Sequence, residues 1–445
     1  MRIFIGYCML FFCSSNTFAQ LNTVGSLQEL ITSTSSASLI TVTTNQDGGI
    51  FYHSTIKIEP DFGISFPRKS GGIWVRQFNP ALGVNPCWWG AKGDGIQDDL
   101  PALQAATQYC LANETILQFP SGVFRITAPW VIGGKTLEEK DLFTSKLTTA
   151  ESFKIQQHQK ARTSNAMIVR GAAKTCIYGD FSAKQLTAMV YYNINANGIA
   201  KMPSAQMYSH EFSNIGFYGE GSFDGGVPRA ITKVNEHNQQ IGLVILYCNQ
   251  PKINGCNFAG LKYGLLAKTS YFGQLSNCSF RYCETGFWAM DYNANLIENI
   301  VGFYCKQLAE ISGSQLTFNN INTEFCKSTL KFCGKNIVIN GMYCENNQLS
   351  LANQYQLILG RNKAEPGYSP KSFTTGIVIQ ALTITTAGRE LILLEDDLRT
   401  ISITSANMNG SILSKSVRNQ IEVNLIEGSI KFFGPGRFLS DRNRE

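Results

Sequence analysis

The sequence predicts an all-β chain that winds as a right-handed parallel β-helix, a solenoid with a capping helix at its N-terminal end. Three observations predict this fold: a composition poor in charge, a glycine-rich turn followed by a helix and two short strands, and residues that recur every 20 to 23 positions. The predicted organisation is a signal peptide at 1–19, a small N-terminal β module at 20–84, the β-helix at 85–435 and a frayed tail at 436–445.

The composition narrows the fold class. Charged residues make up 16% of the 445 residues, against roughly 25% in typical domains, and hydrophobic residues make up 44%. A chain of this length is long for one compact core, but a solenoid grows in one dimension and escapes that limit. The net charge of +6 is not gathered into basic blocks, so we expect no nucleic-acid partner.

The first twenty residues have the pattern of a secretory signal peptide. Arg2 supplies a positive charge, residues 3–13 are apolar but too few to span a bilayer, and residues 17–19 carry the small-residue pattern of a cleavage site. We therefore expect an exported protein that is secreted, periplasmic or on the cell surface. A lipoprotein signal at Cys13 is the alternative, and the bulky Phe12 before it argues against that. No later run reaches about 18 apolar residues, so we expect no transmembrane helix.

A small module is expected between the signal peptide and the solenoid. Residues 27–31 are typical of one helical turn, and strand-like runs follow at 39–42, 49–52 and 72–76. Gly and Asp separate these runs, as hairpins or loops require.

The most specific segment is the run 88–99, Trp-Trp-Gly-Ala-Lys-Gly-Asp-Gly-Ile-Gln-Asp-Asp. Its Gly-Asp-Gly is typical of a tight turn, because glycine tolerates positive φ. Asp98 or Asp99 is expected to cap a helix that has Pro101 in its first turn. We interpret these acids, together with Asp94, as structural and not as a catalytic triad. Two short strands are expected next, at 116–119 and 123–126.

This segment resembles the opening of the pectate-lyase/rhamnogalacturonase-like right-handed β-helix family, the pectin-lyase-like fold that many secreted pectinolytic enzymes and phage tailspikes share. The family pattern is Gly-Ala-Lys-Gly-Asp-Gly-x-x-Asp-Asp, then a capping helix, then a first rung of the form Phe-Pro-x-Gly-x-x-x-Ile. All three parts are present here in that order. The resemblance implies the fold and an action on polysaccharide, and it is much less specific for the reaction.

Two sets of residues recur with a period that fits one coil of a β-helix. The members are Asn254, Asn277, Asn299, Asn320 and Asn340, and Cys283, Cys305, Cys326 and Cys344. Equivalent residues of successive coils stack about 4.8 Å apart. The asparagines are therefore expected to form a hydrogen-bonded ladder at a turn, and the cysteines to fill small spaces in the interior.

The number of cysteines argues against a full disulfide framework. Without Cys8 and Cys13, eleven remain, and an odd number cannot all pair. Disulfides between adjacent coils are an alternative to the interior packing. A metal site is the weakest interpretation, because the column contains no Cys-x-x-Cys pair.

Two loops are long enough to wall a groove on the solenoid surface, at 127–165 and 218–240. The second carries the titratable residues Glu220, Asp224, Arg229, Lys233, Glu236 and His237. The aromatic residues that could stack on sugar rings are Tyr191, Tyr192, Tyr208 and Tyr218.

Hydrolysis of a glycosidic bond needs two carboxyl groups about 5 to 10 Å apart. The resemblance implies that such acids flank strands which begin with a Gly-Ile-like pair, and the corresponding strands here begin at 264, 286 and 309. The carboxylates around them, and hence the predicted catalytic residues, are Glu284, Asp291, Glu298 and Glu310. The signatures Asn-Thr-Asp, Asp-Asp-Cys and Gly-His-Gly are absent, which argues against a common polygalacturonase.

Elimination from a uronic-acid polymer is the alternative reaction, and it needs a base and a cation that neutralises the carboxylate. Lys268, Arg281, Lys306 and His237 are candidates for these roles. The predicted substrate-binding residues are Tyr218, Asp224, His237, Lys268 and Arg281. No cofactor and no metal ligands are predicted. Calcium enters only by analogy with pectate lyases, and no compact Asp-rich loop is present to hold it.

Three functions remain open. The first is an exported polysaccharide-degrading enzyme, either a glycoside hydrolase or a polysaccharide lyase. The second is a non-catalytic carbohydrate-binding or adhesion protein, which the missing catalytic signatures favour. The third is a tailspike-like protein, which the N-terminal module favours and the signal peptide opposes. The expected partner is a polysaccharide in each case, and the chain is expected to be a monomer or a homotrimer.

Overall fold

The computed structural model describes residues 22–133, 167–193, 210–246, 248, 250–345, 347, 354–360, 374–385, 390–395 and 398–440. The chain forms two compact units that divide between Phe78 and Asn79. Among the described residues, no helix is long and apolar enough to cross a membrane. The predicted signal peptide, Tyr208, most of the loop at 127–165 and the end of the tail, 441–445, lie outside the described residues.

The first unit is a five-stranded sheet with one helix packed on it. Its strands are Thr23–Val24, Leu39–Val42, Gly49–Ser54, Ser65–Pro67 and Ile73–Gln77, and its helix is Leu27–Thr32. Leu30 of the helix packs with Ile40, Phe51 and Trp74 of the sheet in one apolar cluster. The helical turn and the three strands expected in this region are confirmed.

The Gly-Asp-Gly segment folds as a turn that its own acids hold. Asp94 Oδ1 accepts hydrogen bonds at 2.8 and 2.9 Å from the two backbone N–H groups that lie two and three residues ahead. Asp99 is fully buried and accepts from the N–H groups of Lys92 and Gly93 at 2.6 and 3.1 Å. Burial raises the pKa of Asp99 to about 6. The structural interpretation of these acids is therefore confirmed.

The helix that follows is Leu100–Asn113. Asp99 takes the N-cap position but makes no side-chain capping bond, whereas Oδ1 of the preceding Asp98 accepts from the Leu100 N–H at 3.2 Å. Two short 3-10 helices, Pro80–Leu82 and Pro86–Trp89, precede it. That Leu100–Asn113 caps the end of the solenoid stays a prediction.

From Asp94 onward the chain winds into three parallel sheets, which we name A, B and C in the order in which each coil visits them. Sheet A begins with Leu117–Phe119, Ile168–Gly171, His210–Ser213, Pro251–Asn254 and Gln274–Ser276. Sheet B begins with Asp94–Asp98, Gly122–Ile126, Thr175–Gly179, Gly216–Tyr218, Asn257–Ala259 and Ser279–Arg281. Sheet C begins with Trp130–Gly133, Thr187–Asn193, Gln240–Leu246, Tyr263–Tyr271 and Thr285–Asn293.

Most of the later strands run through the corners from one sheet into the next. Leu296–Phe303 and Thr375–Ile384 pass from A to B, Gln307–Glu324 and Ser328–Glu345 from C through A to B, and Thr400–Ser414 and Gln420–Phe433 from A through B to C. Leu357–Leu359 and Glu390–Leu394 lie in C and Arg437–Ser440 in A. The prediction of a frayed tail is wrong for Arg437–Ser440, which pairs in parallel with Gln420–Val423.

Successive coils pair in register, so equivalent side chains stack inside the solenoid. Phe258 of sheet B lies between Phe217 and Phe280, with ring centroids 5.0 Å apart on both sides. All three rings are fully buried. The step from Phe258 to Phe280 is one coil, which is the period found in the sequence, and the predicted parallel β-helix is confirmed.

The corner between sheets A and B is a turn of one left-handed residue. The residues with positive φ there are Asn214, Gly255, Asn277, Asn299, Asn320 and Gly341, and Ala381 takes the same position in the next coil. Asn and Gly suit this position because they tolerate the left-handed conformation better than other residues. The Nδ2 groups of Asn277, Asn299 and Asn320 each donate to the asparagine one coil before, at 2.8, 3.1 and 2.9 Å. The predicted ladder is therefore present.

The predicted register of that ladder is wrong at both ends. Asn254 pairs with Ser276 and Asn340 pairs with Asn319, so both lie one position before the turn. Glycines take the turn position in their coils, because glycine also adopts positive φ at no steric cost.

The corner between sheets B and C repeats a second pattern. The positive-φ residue is Gly260, Tyr282, Tyr304 or Phe325, and the next residue points inward. Cys283, Cys305 and Cys326 occupy that inward position as buried thiols. The assignment of Cys344 to this column is wrong, because Cys344 pairs with Thr323 inside sheet B. Asn347 takes the place instead, and its Oδ1 accepts from the Cys326 N–H at 2.8 Å.

Candidate functional site

The passage from sheet B to sheet C is long in one coil. After Gly216–Tyr218, residues 219–239 leave the solenoid before Gln240–Leu246 begins, whereas three residues suffice at 282–284 and at 304–306. The excursion carries a two-stranded hairpin, Phe223–Asp224 with Val227–Pro228. The excursion 219–239 is the part of the predicted loop 218–240 that has no equivalent in adjacent coils. Its side chains therefore do not stack on equivalent side chains of other coils.

The excursion ends in a tight turn at 235–238. The Asn235 carbonyl accepts from the Asn238 N–H at 3.1 Å, and Asn235 Oδ1 accepts from the His237 N–H at 3.1 Å. Asparagine commonly forms such turns because its side chain bonds its own backbone two residues ahead. The two central residues of the turn, Glu236 and His237, are carried at its tip, and both are exposed.

Lys306 joins this tip to the solenoid. Its Nζ lies 3.0 Å from Glu236 Oε1 and 3.7 Å from Glu284 Oε1. Glu284 and Lys306 are equivalent residues of adjacent coils, because the following residues Thr285 and Gln307 pair in register. The hydrogen bond from Lys306, and then its charge, lower the pKa of Glu236. Two carboxylates from different segments therefore share one ammonium group.

The two carboxylates lie no farther apart than the carboxyl pairs of glycosidases. Lys306 Nζ lies 3.0 Å from Glu236 Oε1 and 3.7 Å from Glu284 Oε1. The distance between these two carboxylate oxygens therefore cannot exceed the sum of these two distances. That limit falls within the roughly 5–10 Å at which carboxyl pairs act in glycosidases. Lys262 and Lys327 extend the same column on either side, so the surface around the pair is basic.

An aromatic stack runs beside this column. Tyr282, Tyr304 and Phe325 stack with ring centroids 5.0 and 4.8 Å apart and nearly parallel planes. Their facing rings cover each other, so the stack presents ring edges and the hydroxyl groups of two tyrosines to solvent. Tyr304 is 41% exposed. The arrangement suits hydrogen bonding to a sugar along the column better than stacking of a sugar on a ring face.

A second charged pair lies on the outer surface of sheet C. Glu310 Oε1 is 3.0 Å from Lys331 Nζ, and Trp288 is the equivalent residue of the preceding coil. Trp288 is mostly buried in an apolar cluster of the same sheet. Glu310 follows Lys306 by four residues of extended chain, which is about 13 Å. The two charged sites are therefore neighbours on one side of the solenoid.

Asp291 and Lys268 also belong to sheet C. Lys268 is buried, at 2% exposure, and pairs with Leu246 and Met290 on the adjacent strands. Asp291 has a φ of 53° inside its strand. Burial, and next the charge of Asp291, raise the pKa of Tyr271. Asp291 thus lies toward the end of Thr285–Asn293, the strand that Glu284 precedes, and Lys268 lies at a similar level of the preceding strand, Tyr263–Tyr271.

The other predicted residues lie on other surfaces. Glu298 is on the outer face of sheet A, where its Oε1 accepts from Gln274 Nε2 at 2.7 Å. On sheet B, the Arg281 guanidinium lies 5.2 Å from the centroid of the Phe303 ring. Tyr218 packs edge-on against Phe223, and Asp224 pairs with Arg229 at 2.7 Å. Of the nine predicted site residues, the structure thus brings Glu284 and His237 to one place.

The structure shows no arrangement for the calcium that the family analogy suggested. Among the described residues, no group of three or more His, Cys, Asp or Glu side chains is placed to hold a metal ion. The carboxylates that do approach each other, Glu236 and Glu284, are already bridged by a lysine.

No protein-family model matches the sequence, and no curated protein matches it either. Similar solved structures include the enzymatically active domain of tailspike protein 2 from bacteriophage CBA120, with a TM-score of 0.50 and 14% identity over 95% of this chain and 56% of that chain. Others are the catalytic domain of Agl-KA, with a TM-score of 0.48, 12% identity and coverage of 83% and 71%, and the A-module of mannuronan C-5 epimerase AlgE6 of Azotobacter vinelandii, with 0.47, 16%, 80% and 98%.

These similarities concern the fold. The chain has the pectin-lyase-like right-handed β-helix fold that its Gly-Asp-Gly segment predicted. It spans little more than half the length of the tailspike domain.

Proposed function

We propose that the chain binds and cleaves a polysaccharide at the corner between sheets B and C, with Glu236 and Glu284 as the two carboxyl groups of the reaction. The observation that carries this proposal is the Lys306 ammonium group held 3.0 and 3.7 Å from these two carboxylates. The named activities of several solved β-helix structures, among them a tailspike domain that is enzymatically active, are consistent with it.

The unequal distances suggest a division of roles. Hydrolysis needs one ionised carboxylate, which acts as base or nucleophile, and one protonated carboxyl group, which acts as acid. Lys306 lies closer to Glu236 and lowers its pKa, so Glu236 is the ionised partner. Glu284, at the longer distance, is then the acid once a bound glycan has displaced water and drawn Lys306 away. His237 and the hydroxyl groups of Tyr282 and Tyr304 bind the sugar units on either side.

The test is incubation with a panel of neutral, acidic and capsular polysaccharides. New reducing ends indicate cleavage, and a new ultraviolet absorbance additionally marks the unsaturated product of a lyase. Glu284→Gln is expected to lower the rate at least about 100-fold, because it removes an acid–base group. Glu324→Gln, a partly exposed carboxylate in sheet B, is the matched control and is expected to stay within about twofold of the wild type.

One observation favours binding without cleavage as the second candidate function. Lys306 contacts both carboxylates, and such an ion pair can hold the turn 235–238 on the solenoid without any chemistry. In that case the double variant Glu236→Gln/Glu284→Gln binds the same glycan as the wild type, and neither protein releases product. Absence of both products and binding across the whole panel would contradict the proposed function. The remaining predicted carboxylates, Asp291, Glu298 and Glu310, stay predictions, and Asp291→Asn with Glu310→Gln tests two of them in the same assay.

A further inference from the structure

A buried glutamine closes the base of the excursion 219–239. Gln240 is fully buried, and its Nε2 donates to the carbonyl groups of Gly179 and Phe181 at 3.0 and 2.9 Å. Its Oε1 accepts from the Glu220 N–H at 2.6 Å. The side chain thus joins the first residues of the excursion to the B–C corner of the preceding coil.

A buried asparagine ties the other end of the excursion to the following coil. Asn238 is 3% exposed, and its Nδ2 donates to the Gly260 carbonyl at 2.6 Å while its Oδ1 accepts from the Gln240 N–H at 2.7 Å. The Asn238 amide lies so close to Gly219 that a Cβ on this glycine would be 2.6 Å from Nδ2. The close approach of the Asn238 amide to residue 219 therefore requires a glycine there.

The two amides lie directly behind the turn that carries Glu236. Asn238 is the last residue of that turn, and its N–H bonds to the carbonyl that opens it. Gly260, to which Asn238 donates, lies two residues before Lys262, the first residue of the lysine and glutamate column. A loss of these buried bonds would leave polar groups without partners inside the corner, which is unfavourable.

We infer that Asn238 and Gln240 are positioning residues, whose buried amides fix the turn 235–238 against the solenoid so that the Glu236 carboxylate meets Lys306. Their importance for catalysis rests on the function proposed above, but the positioning itself does not. Glu236 is exposed, at 67% of its side chain, and an exposed ion pair contributes little by itself. The scaffold behind the turn, and not the ion pair, then supplies the geometry of the site.

The experiment is an NMR titration of the Glu236 carboxyl group, assigned by its loss in Glu236→Gln, in the full chain without any glycan. In the wild type Lys306 holds the pKa of Glu236 below its ordinary value. Asn238→Ala is expected to return that pKa toward the ordinary value, because the turn no longer holds the carboxylate beside the ammonium group. The unfolding midpoint is measured on the same samples.

The chain offers a matched control in Asn295. This residue is also buried, at 2% exposure, and its amide holds a different corner by accepting from the Gly273 N–H and donating to the Ser270 and Asn293 carbonyl groups. Asn295→Ala is expected to destabilise the protein by a similar amount and to leave the pKa of Glu236 where it is. If Asn295→Ala shifts that pKa as much as Asn238→Ala does, the inference is overturned.

A second variant separates the loss of positioning from a general failure to fold. Asn238→Ser keeps a side-chain oxygen that can accept from the Gln240 N–H but is too short to reach the Gly260 carbonyl. It is expected to fold and to show the same upward shift. An unchanged pKa of Glu236 in a folded Asn238 variant overturns the inference. An upward shift together with no binding or cleavage of any glycan leaves the positioning in place and removes the proposed function alone.

Discussion

The A–B and B–C corners of the solenoid differ in how much their length varies from coil to coil. The A–B corner uses a single left-handed residue from Asn214 to Gly341, and it is Asn or Gly throughout that stretch. The B–C corner uses three residues in some coils and the whole excursion 219–239 in another. The difference shows that one corner keeps a constant length over this stretch, while the other carries an insertion and charged residues. The proposed site lies at the B–C corner.

The two corners share a backbone pattern but differ in the side chains that stack there. At the A–B corner the chain bends at one residue with positive φ, and side-chain amides bond from coil to coil. At the B–C corner a left-handed residue is likewise followed by a buried one, but aromatic rings stack there from coil to coil instead of amides. Between Asn214 and Gly341 the first corner therefore keeps one length, whereas the second corner varies in length.

The largest expected effect compares an inner stack with an outer one. Phe258→Ala removes the middle ring of the buried stack in sheet B and is expected to lower the free energy of unfolding by about 3–5 kcal/mol. Tyr304→Ala removes the middle ring of the stack at the B–C corner, where the ring is 41% exposed, and should cost about 1 kcal/mol or less. Chemical denaturation measures both, and equal costs would contradict the distinction between the buried stack in sheet B and the exposed stack at the B–C corner.

The next effect concerns His210, which is buried inside the solenoid, unlike the exposed His237 of the turn 235–238. Burial lowers the pKa of His210 to about 4, and the ring nitrogen Nδ1 contacts the Tyr192 hydroxyl. The neutral form is therefore favoured in the folded protein, so the stabilisation is complete above about pH 6.5 and is lost as the pH falls toward 4. The loss approaches about 3 kcal/mol, since one pKa unit corresponds to about 1.4 kcal/mol.

The measurement for this prediction is the free energy of unfolding against pH for the wild type and for His210→Gln. The difference between the two curves isolates the contribution of His210 from that of Asp99, whose pKa burial raises to about 6 and which acts in the opposite direction. Asp99 costs stability as the pH rises from 4 to 6. A difference curve that is flat between pH 6.5 and 4 would contradict the prediction.

The smallest effect tests the A–B corner directly. Asn299→Val is expected to cost about 2 kcal/mol, because a β-branched residue is strained at a φ of 52° and because two ladder hydrogen bonds are lost. Asn299→Gly loses the same bonds without the strain and should cost about 1 kcal/mol. Equal stability of the two variants in thermal unfolding would show that the ladder, and not the backbone conformation, holds this corner.

The sequence was sufficient for the fold, because a period of about one coil is visible wherever the coils are regular. It was insufficient for the register at the ends of each column. Asn254 stands next to Gly255, and either can take the left-handed position, so the pattern alone does not decide between them. Cys344 was misplaced for a related reason, since any second position along a strand points inward.

The candidate site was predictable only in part. Glu284 lies in the repeating column, and its place next to Lys306 follows from the period. Glu236 was visible only as one charge in a loop of six titratable residues, because the path of an excursion does not follow the repeat. The turn at Asn235 was the one local signal that could have placed it.

Coil equivalence has a further consequence for the history of such a chain. Thr285 and Gln307 occupy the same place in adjacent coils, with the same backbone pairing on either side. A gene rearrangement that repeats or removes the segment between them would therefore join compatible ends, and the cross-section of the solenoid would not change. The length of the protein can thus evolve in whole coils while the cross-section of the solenoid stays constant. A duplicated coil would then copy a site at one corner or change its distance from another site along the axis.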